Sequence, residues 1–150
     1  MTGPPEDPTG PPADVTVSAA TPDDRLDALR ILDAAMLETD ADTVDDRIGA
    51  GDVLVARSAR NDGVVGALVA VRPDSDRLHV DAVAVRRARR GEGIGSALVA
   101  AAVDRGESDA AVETVTARFD ADLAEFYEAL GFAVDDGDAA AGRRVGRRSA

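Results

Sequence analysis

Arg86-Arg-Ala-Arg-Arg-Gly-Glu-Gly-Ile-Gly-Ser-Ala-Leu98 follows the strand-like run Leu78 to Val85 and opens into an apolar helix at Ile94. A β-branched strand, an arginine- and glycine-rich turn and a helix start aim several backbone N–H groups at one small volume. The positive end of the helix dipole points there too. Such a volume binds anions, and a pyrophosphate is the natural one. Gly91, Gly93 and Gly95 withhold the side chains that would keep a phosphate off the backbone. Ser96 adds a hydroxyl donor in the first helical turn.

Two other glycine-rich phosphate loops fail on spacing. A dinucleotide fingerprint G-x-G-x-x-G needs glycine at position 96, where Ser96 stands, and it usually follows the first strand of a βαβ unit. A P-loop needs Gly-Lys-Ser/Thr, and the chain has no lysine. What remains is Arg90-x-x-Gly93-x-Gly95 between a strand and a helix, followed further on by Phe126-Tyr127-Glu128-Ala129-Leu130-Gly131-Phe132. A glycine turn that merely caps a helix would account for the first motif alone. The two together, in this order and at this separation, resemble the acetyl-CoA loop and the F-Y-x-x-x-G-F ending of the GNAT superfamily of N-acetyltransferases. The resemblance runs from Val15 to Val134.

The 150 residues suit one domain with a normal core. Residues 1–14 hold five of the seven prolines and read as a disordered tail, leaving 15–150 as a single domain. Without cysteine there is no disulfide, thiolate metal site or cysteine nucleophile, and no metal site is expected. The N-terminus has no apolar h-region and no stretch is long and uncharged enough to span a membrane, so a cytoplasmic protein is expected. The formal charge is −12, and all 17 basic residues are arginine. This composition resembles that of salt-in extreme halophiles, where screening within about 3 Å at 1 M salt makes dense surface acid tolerable. The acid excess reads as a solvated surface with no partner attached.

The element order predicted along the chain begins with a strand at Val15–Ala20 and a helix with Thr21 as N-cap and Pro22 at N1. Leu26, Leu29, Leu32 and Met36 supply its apolar stripe, with Leu37 at the edge, and a short helix follows near Thr43 to Ile48. Strands at Asp52–Arg57, Val64–Val71 and Leu78–Val85 are joined by the turns Asn61-Asp-Gly63 and Pro73-Asp-Ser-Asp76. Then come a helix (Ile94–Arg105), a strand (Val112–Arg118), a helix (Ala121–Leu130) and a strand (Phe132–Val134). Residues Gly142 to Ala150 form a last strand or fray. The pattern is α+β, and with the resemblance it implies a GNAT fold: a central, mixed but mostly antiparallel sheet of six to seven strands flanked by about four helices.

The resemblance also implies roles. The pantetheine arm of acetyl-CoA would lie along Val83, Ala84 and Val85, bonded to their backbone almost as an added strand. Arg90, Gly91, Glu92, Gly93, Ile94, Gly95 and Ser96 would hold the pyrophosphate. Asp120 stands where many relatives carry an asparagine that contacts the cofactor; an ionised aspartate accepts hydrogen bonds there but donates none. Tyr127, the only tyrosine, would be the general acid for the departing thiolate, suited by an ordinary pKa of about 10. Phe126 and Phe132 read as core.

For the base, His79 is the only histidine and titrates near pH 6.5 when unperturbed. It and Asp81 alternate onto one face with Val83 and Val85. A structural histidine and a water chain are the alternatives. Val115 occupies the site where N-terminal protein acetyltransferases carry glutamate, with Glu113 on the same face.

The expected activity is acetyl-CoA-dependent transfer of an acetyl group to a primary amine of a small molecule or protein. The acceptor pocket would be built from Thr21 to Gly51 and the C-terminal segment. The arginines at 86–90 stand isolated in an acidic chain, so neither nucleic acid nor membrane is an expected partner, and a monomer or homodimer is expected. The alternative is a non-catalytic CoA-binding regulatory or partner-binding module.

Overall fold

The computed structural model describes residues 14–34, 40–60, 62–120, 123–135 and 143–149. Tail residues 1–13, Met36, Leu37, Asn61, Ala121, Gly142 and Ala150 lie outside these, as do the side chains of Arg118 and Asp120. The chain runs β1 (Val15–Ala19), α1 (Arg25–Ala34), α2 (Ala41–Ala50), β2 (Val53–Ser58), β3 (Val64–Asp74) and β4 (Arg77–Val85). It continues with α3 (Ile94–Ser108), β5 (Thr114–Asp120), α4 (Ala124–Ala129), β6 (Ala133–Asp135) and β7 (Arg143–Ser149). Short 3-10 turns precede α1 (Pro22–Asp24) and α3 (Arg87–Arg89). The C-terminal segment is therefore a strand.

These strands make one seven-stranded sheet in the order β1-β2-β3-β4-β5-β7-β6. Only β4 and β5 run parallel; the other neighbours are antiparallel. The sheet is covered on both sides. One face carries α3 and α4, with Ile94, Leu98, Val103, Val115, Phe119 and Phe132 in its core. The other carries α1 and α2, with Ile31, Leu32, Val44 and Ile48 packed on Val55, Val69, Ala82 and Ala84.

Helix α1 starts where Thr21-Pro22 predicts, but its apolar stripe is displaced. Ala28, Ile31 and Leu32 are buried and Leu29 partly so, whereas Leu26 is 60% exposed. The 3-10 turn Pro22–Asp24 precedes the α-helix proper, and the resulting i, i+3, i+4 set is 28, 31 and 32, which leaves Leu26 off the face. Asp24 fixes this entry. Its carboxylate accepts from the Thr21 N–H at 2.9 Å and from an Arg57 guanidinium N–H at 2.7 Å. Burial opposes the charge, but these bonds outweigh it and hold the Asp24 carboxyl below the usual carboxylate range.

Asp52 is the other buried carboxylate, fully enclosed and surrounded by arginines. Arg72 Nε donates to it at 2.9 Å and Arg105 Nε at 3.1 Å, with Arg47 at 3.5 Å. It joins α2, β3 and α3 through one side chain. Asp14, placed in the tail by composition, is tied down as well: its backbone carbonyl accepts from the Ala59 N–H and its carboxylate from Arg89.

A β-bulge at Asp81 decides how the site is built. Val69 pairs with Ala82, but Ala70 pairs with Val80, so Asp81 is an extra residue in β4. Leu78 and Val80, before the bulge, belong to the α3-side core; Ala82 and Ala84, after it, belong to the α1-side core. The alternation reverses at this residue. The parallel ladder with β5 ends at the same level, its last pair being Val80 with Ala117. Beyond it β4 continues to Val85, paired only with β3.

Candidate functional site

Beyond the bulge, β4 enters the turn that the sequence singles out. Gly91 and Gly93 adopt φ of +82° and +87°, a left-handed conformation that side chains other than glycine enter at a cost. Gly93 caps α3, and the Ala97 N–H is bonded to the Gly93 carbonyl at 3.0 Å, so the amides before it are the unpaired ones of the helix start. At Gly91 a Cβ would meet nothing within 4 Å, and at Gly95 it would stand 3.8 Å from Phe126 Cζ and Val85 Cγ2. The glycines open a cradle instead of relieving a clash.

That cradle is the floor of a cleft of about 650 Å³. Val83, Ala84 and Val85 form one wall; Arg90, Gly91, Gly93, Ile94, Gly95 and Ser96 form the floor; Leu123 and Phe126 close the far side. Nine of the residues expected to hold the cofactor thus line one cavity. Glu92 does not; it is exposed, and its carboxylate accepts from Nε of Arg89, itself a lining residue, at 3.0 Å. Arg89 also donates to Asp14 at 3.1 Å, so its charge is neutralised. Arg90 donates Nε to the Val85 carbonyl at 3.3 Å and has no carboxylate partner among the described residues. An unneutralised guanidinium and a helix N-terminus therefore face the cleft of a chain with formal charge −12. Asp120 ends β5 opposite Arg143, and its side chain is outside the described residues.

Tyr127 lies one residue past the cleft wall on α4. Its ring stacks on Phe119 at 4.0 Å between centroids and meets Phe126 and Phe132 edge-on at 5.0 and 5.4 Å. It is 4% exposed, and burial pushes its phenol up to about 12, so it is protonated at neutral pH. Phe126, expected in the core, lines the cleft instead, and Phe132 is core as expected. Neighbouring positions on a six-residue helix point in different directions, so only one of the Phe126–Tyr127 pair sits fully inside.

The expected shared face of His79, Asp81, Val83 and Val85 is not there. Val83 and Val85 pack on the α3-side core, the side of Leu78 and Val80, and His79 points the opposite way because the bulge lies between them. His79 Nδ1 is 2.8 Å from the hydroxyl of Thr116, its partner across the β4–β5 ladder. Asp81 is exposed at the bulge. Val115 is fully buried beneath α3, and Glu113 is exposed just before β5. Sequence reading misses Leu123 and the bulge, and takes Phe126, though part of the F-Y-x-x-x-G-F ending, for core. Leu123 carries no local signal, and a single extra residue in a strand leaves the hydrophobic alternation of β4 unbroken.

A model of the acetyltransferase (GNAT) domain matches residues 49–134, from the end of α2 through most of β6 and more than half of the chain. The chain belongs to the GNAT acetyltransferase family. Among solved structures it is similar to Ard1 from Thermoplasma volcanium, with 19% identity over 91% of this chain and 98% of that one, at a TM-score of 0.75. It is similar to Arabidopsis thaliana Naa50 in complex with the bisubstrate analogue CoA-Ac-MVNAL, with 21% identity over 92% of this chain and all of that one, at a TM-score of 0.72. Rv2747 from Mycobacterium tuberculosis, in complex with CoA and NLQ, shares 25% identity over 80% of this chain and 72% of that one, with a TM-score of 0.69. No curated protein sequence matches the chain.

Proposed function

We propose that this protein is an acetyl-CoA-dependent N-acetyltransferase that acetylates a primary amine of a small molecule or protein. The observation that carries the reading is the opening of the sheet: β4 loses its β5 partner after Val80 and runs on to Val85 beside a glycine cradle at the start of α3. The freed backbone edge of Asp81 to Val85 takes the pantetheine arm as an extra strand. The unpaired amides of α3 and the Arg90 guanidinium take the pyrophosphate. Structures of relatives crystallised with CoA or a CoA-linked analogue, Rv2747 and Naa50, support this choice of acyl donor.

In the reaction, the neutral amine nitrogen attacks the thioester carbonyl carbon and forms a tetrahedral intermediate. The C–S bond then breaks, leaving the amide and the CoA thiolate, while the amine proton passes to water. Tyr127 donates the phenolic proton to the departing thiolate and recovers one from the water that took the amine proton; a phenol that is protonated in the resting enzyme suits an acid and not a base. In this reading His79 is a structural residue, its Nδ1 held 2.8 Å from the Thr116 hydroxyl across the β4–β5 ladder.

The test is titration of acetyl-CoA into wild type and Gly95→Val in molar KCl, followed by assay of free CoA with primary amines. Gly95 is helical, so valine fits the backbone while its methyl groups fill the cleft between Val85 and Phe126. Affinity is expected to fall at least roughly tenfold, about 1.4 kcal/mol. Unchanged affinity overturns the cofactor site. Tight binding by the wild type without transfer to any amine identifies the non-catalytic module.

A further inference from the structure

Two glycines in four residues give the cofactor cradle much backbone freedom to lose. Arg90-Gly91-Glu92-Gly93 joins the 3-10 turn to α3, and both glycines are held at positive φ. Glycine gives up more conformational freedom on ordering than any other residue, so such a turn keeps one shape only where something fixes it. Its start is fixed by β3: the Arg86 N–H donates to the Val65 carbonyl and Arg86 Nε to the Val64 carbonyl, both at 2.8 Å. Its middle is fixed by a guanidinium fork. Arg89 donates Nε to both carboxylate oxygens of Glu92, at 3.0 and 3.1 Å, and Nη2 to both of Asp14, at 3.1 Å each. The first contact spans the turn. The second ties it to a residue 75 positions away in the sequence.

Asp14 is itself anchored. Its backbone carbonyl accepts from the Ala59 N–H at 2.7 Å just before β1 begins, and Arg60 Nε stands 3.7 Å from its carboxylate. A line of contacts therefore runs from the β1–β2 edge of the sheet through Asp14 and Arg89 to the wall of the cleft. The charge of this arrangement is what distinguishes it. Two carboxylates stand beside an anion site, where their field alone repels a pyrophosphate, and they cancel a cation that would attract one. A clamp kept at that electrostatic cost acts through shape. We propose that Asp14 is a positioning residue for acetyl-CoA: through Arg89 it holds the Arg90–Gly93 turn in the form that receives the pyrophosphate, so that binding does not have to order the turn. This rests on the acetyltransferase reading above. Backbone amides, and not Arg89, then meet the phosphates. Composition places Asp14 in the tail, yet it belongs to the machinery of the cleft.

The experiment titrates CoA in molar KCl into the full chain as wild type, Asp14→Asn, Arg89→Gln, Arg89→Lys and the double variant Asp14→Asn with Arg89→Gln. Each single variant is expected to raise the Kd for CoA roughly tenfold, the scale of coupling between residues in contact, and the double variant no further. Arg89→Lys is expected to fare no better than Arg89→Gln, since an ammonium keeps the charge but cannot fork to two carboxylates. Asp14→Glu keeps the carboxylate and is expected to recover part of the affinity. In turnover the loss appears in KM for acetyl-CoA, with KM for the amine and kcat at saturation unchanged. Three results overturn the proposal. Tighter binding by Asp14→Asn would make Asp14 a competitor of the phosphates for Arg89. Affinity kept in Arg89→Lys and lost in Arg89→Gln would give Arg89 a direct contact with them. A lower melting temperature with unchanged Kd would leave Asp14 a staple of β1 alone.

The second readout needs no ligand. The amides of Arg89, Arg90 and Ala97 are bonded to the carbonyls of Arg86, Arg87 and Gly93 within the turn and the helix start. In Asp14→Asn they are expected to exchange with deuterium several-fold faster, whereas the Ala20 amide, bonded to the Val53 carbonyl just past the far end of β1, keeps its rate. Unchanged exchange in the turn overturns the clamp, and faster exchange at Ala20 as well assigns Asp14 to the sheet. If the wild type binds no CoA, the acetyltransferase reading fails, and the exchange rates still decide whether Asp14 holds the turn.

Discussion

The phenol of Tyr127 is the most informative single group to change. Tyr127→Phe keeps the ring that stacks on Phe119 and meets Phe126 and Phe132, and removes only the hydroxyl, the proposed proton donor. Turnover is expected to fall roughly 10²-fold, the low end for general acid–base catalysis, with acetyl-CoA affinity nearly unchanged. A parallel loss of affinity would assign the residue to packing, and full activity would give the proton to solvent. With the phenol pushed up to about 12, it stays protonated across the accessible range, so any alkaline limb of the pH–rate profile near neutrality belongs to another group. The lining of the cleft was legible where the signal is local: the glycines and Arg90 that the sequence singles out by their spacing do line one cavity. The direction of His79 was not legible, because it depends on one inserted residue, Asp81, whose effect is visible only in the pairing of β4 with β3.

Among the elements, the entry to α1 offers a measurable contribution from one carboxylate. Asp24→Asn keeps the shape and an acceptor for the Thr21 amide, but loses the charge that meets Arg57 at 2.7 Å. The expected cost is about 1–2 kcal/mol at neutral pH. Since the carboxyl is held below its unfolded value near 3.9, its contribution is complete above about pH 5 and is lost as pH falls through the folded value. Melting curves of wild type and Asp24→Asn are therefore expected to differ at pH 7 and to draw together as acid protonates the wild-type carboxyl; a pH-independent gap would mean that packing, not charge, is at stake. Element order and type were legible from Val15 to Val134, from strand runs, the Thr21-Pro22 start and the apolar stretch after Ile94, while the last segment, now β7, was open between strand and fraying. Boundaries shifted by a few residues, as at α4, which is six residues long where ten were expected. The stripe of α1 was misread because Leu26 looks apolar in a list, but it precedes the register that the 3-10 turn imposes.

At the scale of the whole molecule, charge dominates. We propose that the formal charge of −12 adapts the fold to high salt. Repulsion among surface carboxylates is expected to fall as the screening length drops from about 10 Å at 0.1 M to about 3 Å at 1 M. The melting temperature is then expected to climb steeply between roughly 0.1 and 2 M KCl, and a flat response would reject the adaptation. Among the described residues no helix is long and apolar enough to cross a membrane.

Desalting should not loosen the molecule evenly, because Asp52 sits in a different electrostatic regime from the acidic surface. It is fully enclosed, and its counter-charges, Arg47, Arg72 and Arg105, come from three separate elements of the same chain. Mobile ions contribute little to a cluster that carries its own. The amides of Asp52 and Ala70, bonded at 2.8 and 2.9 Å within this cluster, should then be among the last to exchange with deuterium as KCl is withdrawn. The opposite end of the sheet, at β6, which holds only three residues, should label early. The protein would carry a salt-indifferent nucleus inside a salt-dependent shell, and low ionic strength would peel the shell while the nucleus kept its hydrogens.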